Sequence, residues 1–167
     1  MAYQNKTYIA FDADSDIHYY RLMQAWKQND NTDFNFYNAH EIHSIQPWST
    51  EESKKAALRE RMQNSKVFVL LVGDKTRFQN TYVRWEIEQA LKMNLPIIGV
   101  NLNGKRSMDE ERCPLILRDQ LAVHVTFNPA IIQYALENWP SSDTLLKSAG
   151  KTGPYYYPDT VYTKLGL

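Results

Sequence analysis

The stretch VFVLLVG at residues 67–73 is the strongest indication of the fold class of this chain. Its apolar residues follow one another without polar residues between them, which is typical of a strand that helices cover on both faces. The stretch LPIIGVNLNG at residues 95–104 has the same character. Strands of this kind occur almost only in parallel sheets, so the two stretches predict an α/β protein with a central parallel sheet.

Strands and helices alternate on both sides of these two stretches. TYIAFD (7–12) and FNFY (34–37) predict two earlier strands, and LAVHVTF (121–127) predicts a later one. Apolar and polar residues alternate in LAVHVTF, which favours an edge strand with one wetter face. Because parallel strands are joined by right-handed crossovers, we expect a flavodoxin-like sheet of five strands in the order 2-1-3-4-5, with helices on both faces.

Capping residues and apolar spacing predict where the helices begin and which faces they bury. The first helix is expected to have its N-cap at Asp14, Ser15 or Asp16, and the capping box STEE (49–52), with Ser49 as cap, begins another. The buried face of the first helix is predicted from four apolar residues at helical spacing: Tyr19, Leu22, Met23 and Trp26.

Length and composition indicate a single domain of ordinary charge. The 167 residues include 19 basic and 19 acidic side chains, so no net field attracts the chain to nucleic acid or to a membrane. The single cysteine, Cys113, excludes an internal disulfide. The N-terminus lacks the apolar run of a signal peptide, and we expect a cytoplasmic protein. Residues 1–140 are predicted to form the domain, and residues 141–167 an aromatic C-terminal tail packed on the domain or on a partner.

The predicted strand order places a binding site at the carboxyl ends of the first and third strands. Ligands of open parallel sheets bind where the strand order reverses. FDADSD (11–16), GDKTRF (73–78) and the start of the helix in YVRWEIEQAL (82–91) are delivered to that point. Glu86 lies there, on the flank of the apolar helix face. It is a candidate for a functional carboxylate, and the alternative is a solvated charge at a helix start.

Several other kinds of site are disfavoured by the motifs that are missing. The phosphate loops GxGxxG and GxxxxGK[ST] and the nucleophile elbow GxSxG do not occur. His40 and His43 have no third ligand at a diagnostic spacing, so no metal site is predicted. Asp12 and Asp14 are similar to the acidic pocket of a response regulator. Gly73-Asp74 at the end of the third strand is not the acceptor that this pocket requires.

Three stretches together resemble the Toll/interleukin receptor (TIR) fold. They are YIAFDADSD (8–16), FVLLVGDKTRF (68–78) and YVRWEIEQAL (82–91), and they resemble the bacterial branch related to the TIR proteins of Thoeris anti-phage systems. Enzymatic TIR domains carry a Trp-Cys-x-x-Glu pattern in this helix. Tyr82 and Val83 stand at its first two positions, and Glu86 stands at the position of the catalytic glutamate.

The resemblance implies an enzyme that cleaves the nicotinamide–ribose bond of NAD. NAD is then the substrate, and no cofactor is expected. Glu86 is implied as the catalytic residue. The substrate-binding residues expected from the matching positions are Phe11, Asp12, Ala13, Asp14, Trp48, Gly73, Asp74 and Tyr82. The loop NAHEIHSIQPWST (38–50) corresponds to the TIR loop that covers the site and mediates contacts between TIR domains, with Trp48 as its anchor.

The implied partners are NAD, other copies of the chain through TIR–TIR contacts, and an effector that reads a cyclic or conjugated ADP-ribose signal. Neither nucleic acid nor a membrane is an expected partner. Two alternatives remain open. The first alternative is a non-enzymatic interaction module. The second is a flavodoxin-like domain that senses a nucleotide without turnover. Only the enzyme requires the acid at Glu86.

Overall fold

The strands of this protein form one parallel sheet. The computed structural model describes residues 6–29, the backbone of residues 35–37, and residues 50–167. Within these residues the sheet has six strands in the order β2-β1-β3-β4-β5-β6, and every neighbouring pair is parallel. The strands are β1 (Lys6–Ala10), β2 (Asn35–Tyr37), β3 (Val67–Val72), β4 (Ile97–Asn101), β5 (Ala122–Thr126) and β6 (Pro154–Tyr156). The predicted α/β class and the order 2-1-3-4-5 are confirmed. The sheet also contains a sixth strand, β6, that was not predicted.

Helices cover both faces of the sheet because the central strands are apolar on both faces. Val69 and Leu71 of β3 belong to one apolar cluster, and Phe68 and Leu70 belong to the other. Successive side chains of a strand point to opposite faces, so an uninterrupted apolar run supplies two cores. The described helices are α1 (Ala13–Gln28), α2 (Glu51–Gln63), a short 3₁₀ helix (Thr76–Phe78), α3 (Val83–Lys92), α4 (Pro129–Ser148) and α5 (Asp159–Lys164).

Strand β5 is an interior strand, and the predicted edge strand with a wetter face is wrong. β6 pairs with β5 on the side away from β4, so β5 has a neighbour on each side. His124, the polar residue in the middle of the alternating pattern, is completely buried. The alternating pattern describes the polarity of the two faces of one strand. It does not show whether a strand from a distant part of the sequence pairs with its edge.

Three details of the helix predictions are corrected by the structure. The N-cap of α1 is Asp12, whose side chain accepts a hydrogen bond from the Asp14 amide at 3.2 Å, because the preceding strand already ends at Ala10. Leu22, which was predicted to lie on the buried face of α1, is 47% exposed. Tyr20 is buried instead. Helix α2 has Thr50 as its N-cap, accepting from the Ser53 amide at 3.1 Å. The predicted cap Ser49 lies outside the described residues.

The C-terminal segment is built into the sheet and the core. Helix α4 begins after the predicted N-cap Asn128 and continues past residue 140 to Ser148. The chain then adds β6 to the sheet and ends in α5, where Tyr162 is completely buried in the same apolar cluster as the first turns of α4. Among the described helices, none is long and apolar enough to cross a bilayer.

Candidate active site

A cavity of about 290 Å³ opens at the carboxyl end of β1, against the start of α3. This is the edge of the sheet where the strand order reverses between β1 and β3. Six of the sequence-predicted site residues line it: Phe11, Asp12, Ala13, Asp14, Tyr82 and Glu86. Five further lining residues were not predicted as site residues: Ile9, Ala10, Gln79, Thr81 and Val83.

Glu86 is a buried carboxyl held by a tyrosine of the neighbouring strand. It lies in the first turn of α3 and is only 4% exposed. The Tyr8 hydroxyl of β1 donates a hydrogen bond to Glu86 Oε2, and Tyr8 is itself completely buried. Sequence reasoning missed Tyr8. The strand pattern could have indicated Tyr8, because Tyr8 and Ala10 point to the same face of β1. Ala10 also lines the cavity.

Burial governs the acidity of this carboxyl. Removal from water raises the pKa of Glu86 from its ordinary value of 4.5 to about 8, and the hydrogen bond from Tyr8 acts in the lowering direction. The pKa of Tyr8 is raised as well, first by burial and then by the charge of Glu86. The site therefore holds a proton near neutral pH. An arriving cation would favour release of this proton, because it stabilises the carboxylate.

The described lining of the cavity is acidic. Asp12 is buried with one oxygen bonded to the Asp14 amide, Asp14 is exposed at the rim, and Glu86 lies inside. No lysine or arginine is among the lining residues that the structure describes. At these short distances, acidic side chains attract a cationic ligand group and repel an anionic one. The cavity therefore suits a cationic ring and its sugar better than it suits a diphosphate.

Two of the predicted substrate-binding residues are not part of this lining, and a third lies outside the described residues. Gly73 and Asp74 lie at the end of β3 but do not line the cavity. A Cβ atom at Gly73 would lie 2.4 Å from Asp16 Oδ2, so a larger residue there would have to displace the buried Asp16 carboxyl. Trp48 and the rest of the predicted covering loop up to residue 49 lie outside the described residues.

Asp16 is a second perturbed carboxyl near the same edge. Burial raises its pKa from 3.8 to about 6, and the charges of Asp12 and Asp74 add to this effect. Asp16 does not line the cavity. The Asp16 side chain packs against Gly73. This contact connects the start of α1 to the end of β3.

Comparison with known proteins identifies the family. A comparison with curated protein sequences gave no match. Residues 8–107 match the sequence model of a family described as Thoeris protein ThsB, TIR-like domain. The matched range is more than half of the chain, and it contains the last three residues of β1, all of α3 and both members of the Tyr8–Glu86 pair. The sequence-based resemblance is thereby confirmed, and it connects the chain to Thoeris anti-phage defence. The chain belongs to the family of TIR-like domains of the Thoeris protein ThsB.

Proposed function

We propose that this protein cleaves the bond between nicotinamide and ribose in NAD, with Glu86 as the catalytic carboxylate. The observation that carries the proposal is the buried Glu86 carboxyl in an acidic cavity at the carboxyl edge of the sheet. A buried carboxyl with no cationic partner among the described residues is costly to a fold, and such groups are concentrated at functional sites.

The chemistry of NAD suits a single carboxylate. The bond between ribose C1′ and nicotinamide N1 breaks with both electrons going to N1, so a ring that was cationic leaves neutral and needs no general acid. Positive charge then develops on the ribose, as in other glycosidic cleavages. A carboxylate already in position stabilises that charge without reorganising. Water, a nucleophilic atom of the same ADP-ribose, or a nucleophilic group of an acceptor molecule then bonds to C1′, and a proton is released.

Tyr8 is proposed to hold Glu86 in its productive orientation. Its hydroxyl hydrogen bond favours the charged form of the carboxyl, which is the form required when the ribose becomes cationic. Both side chains are fixed by rigid elements, a central strand and the first turn of a helix. Sites on such elements keep their geometry better than sites on loops.

The product is proposed to be an ADP-ribose derivative, either cyclic or conjugated, that acts as a signal. The support for this step is membership in a family of Thoeris defence proteins, since a signal explains how NAD cleavage in one protein activates an effector. Self-association through TIR–TIR contacts is proposed as the event that completes the site.

The test is NAD consumption by the parent chain and by Glu86→Gln, measured by mass spectrometry in cells challenged with phage. Glutamine keeps the size of the side chain and can still accept from Tyr8, so the fold is expected to survive. Losing the stabilising charge is expected to slow NAD cleavage by about a hundredfold or more.

Glu137→Gln is the matched control. It makes the same chemical change at an exposed position of α4, away from the cavity, and should consume NAD like the parent. Equal NAD consumption by Glu86→Gln and the parent would contradict the enzymatic proposal and leave the interaction module as the function.

A further inference from the structure

A second cavity lies against the first one, on the other side of the start of α3. Its volume is about 250 Å³, and it shares Gln79 and Val83 with the acidic cavity. It is bounded by the 3₁₀ helix, by α3 and by the segment 114–116. The two cavities are therefore neighbours that share part of their lining.

The charges that line the second cavity are opposite to those of the first. Arg77 and Arg84 line it, and its described lining contains no aspartate or glutamate. Arg77 uses one nitrogen to donate to the Glu111 carbonyl at 2.5 Å, which leaves other donors of its guanidinium for a ligand. Arg84 pairs with Glu88 at 3.2 Å. That pair is exposed and so contributes little, and a phosphate can replace it.

The same cavity offers a flat apolar surface. Phe78 is 64% exposed and Leu115 is 67% exposed, and both line the cavity together with Ile116. The Arg77 guanidinium lies 5.0 Å from the centre of the Phe78 ring. A nucleobase stacks well on an aromatic ring beside an arginine, because both present flat, polarisable faces to it.

Size points to the same conclusion. Pockets for small molecules usually measure about 300–1,000 Å³, so the acidic cavity of about 290 Å³ is at the lower limit. A dinucleotide needs more room than this. NAD is also bipolar, with a cationic nicotinamide at one end and an anionic diphosphate towards the other.

We propose that the second cavity binds the adenosine diphosphate half of NAD while the acidic cavity takes the nicotinamide and its ribose. Arg77 and Arg84 contact the diphosphate, and adenine stacks on Phe78. This inference rests on the proposed function, because it assigns the second half of the same substrate.

The test is calorimetric titration of ADP into the purified full chain and its variants. Arg84→Gln and Phe78→Ala are each expected to weaken ADP binding about tenfold, since each removes one main contact. Lys92→Gln removes an exposed cation from the other end of α3 and should bind ADP like the parent. Thermal unfolding of each variant shows that it is folded.

A kinetic comparison separates this inference from the proposed function. In cells, Phe78→Ala should slow cleavage of NAD but not of nicotinamide mononucleotide, which lacks the adenosine half. ADP binding that responds to Arg84 and Phe78 supports the second cavity even if NAD is not cleaved. Failure of the parent to bind ADP, or equal binding by Arg84→Gln and Phe78→Ala, overturns the inference even if Glu86→Gln abolishes NAD cleavage.

Discussion

The carboxyl of Glu86 shows how burial prepares one residue for chemistry. In water a glutamate is ionised at neutral pH, but inside this cavity the neutral acid is favoured and the pKa rises to about 8. Tyr8 opposes that shift by donating to the carboxylate. The balance between the two effects sets the fraction of chains that carry the charged form. That fraction responds to pH and to a bound cation.

The first prediction concerns the pH dependence of NAD cleavage. The carboxylate is the active form, and in the free chain it forms as pH rises through about 8, so kcat/KM should increase over that range. Tyr8→Phe removes a hydrogen bond that lowers the pKa of Glu86. The inflection should therefore move to higher pH, by about one unit. The measurement is kcat/KM for NAD between pH 6 and 10.

Tyr156→Phe is the control for this profile, because Tyr156 is exposed on β6 and far along the sheet from β1. Its inflection should coincide with that of the parent. An inflection of Tyr8→Phe at the parent's pH, or below it, would mean that Tyr8 does not favour the charged form of Glu86.

The pairing of β4 with β5 places a glycine directly against a buried histidine. Gly99 and His124 are register partners in this pair, and a Cβ atom at Gly99 would lie 2.7 Å from His124 Nδ1. The imidazole is completely buried, and neither of its nitrogens has a hydrogen-bond partner among the described residues. Burial lowers its pKa from 6.5 to about 4, so the ring is neutral at physiological pH. Its bulk fills the space that the glycine leaves.

Gly99→Ala should therefore destabilise the fold by about 1–3 kcal/mol, because the added methyl group overpacks a closed interior. Urea unfolding at neutral pH measures the change. In a His124→Ala background the same substitution should cost much less, since the ring that it strikes is gone. A full cost in that background would show that the strain comes from somewhere other than the imidazole.

At the scale of the whole molecule, the C-terminal segment is part of the core. The Tyr162 side chain is completely buried, and its hydroxyl accepts a hydrogen bond from the Thr126 amide of β5 at 3.3 Å. The Arg106 guanidinium lies 4.2 Å from the centre of its ring and also pairs with Asp159 at 3.1 Å. The last helix is therefore tied both to β5 and to the connection that follows β4.

Tyr162→Ala should lower the free energy of unfolding by about 3–5 kcal/mol, the usual cost of truncating a large buried aromatic residue. Tyr156→Ala, at a position that is 65% exposed in the same segment, should change it by less than about 0.5 kcal/mol. Urea unfolding of the two variants provides the comparison. Similar stabilities would mean that α5 adds nothing to the core.

Elements whose pattern is local could be predicted from the residues alone. The continuous apolar run of β3 required cover on both faces, and Asn128 followed by Pro129 was enough to predict where α4 begins. The alternation of strands and helices then allowed only a few parallel orders, of which the observed one was predicted. The position of Glu86 at the carboxyl edge followed from that order.

Contacts between residues far apart in the sequence could not be predicted in this way. Tyr8 and Glu86 are 78 positions apart, and their contact depends on the register of β1 and on the rotation of α3. In the same way, β6 covers the edge of β5 and makes His124 an interior residue, although its alternating sequence favoured an exposed face. Periodicity reports the polarity of each element's faces. It does not say which other element will pack there, because that choice depends on the combined shape and burial of the whole chain.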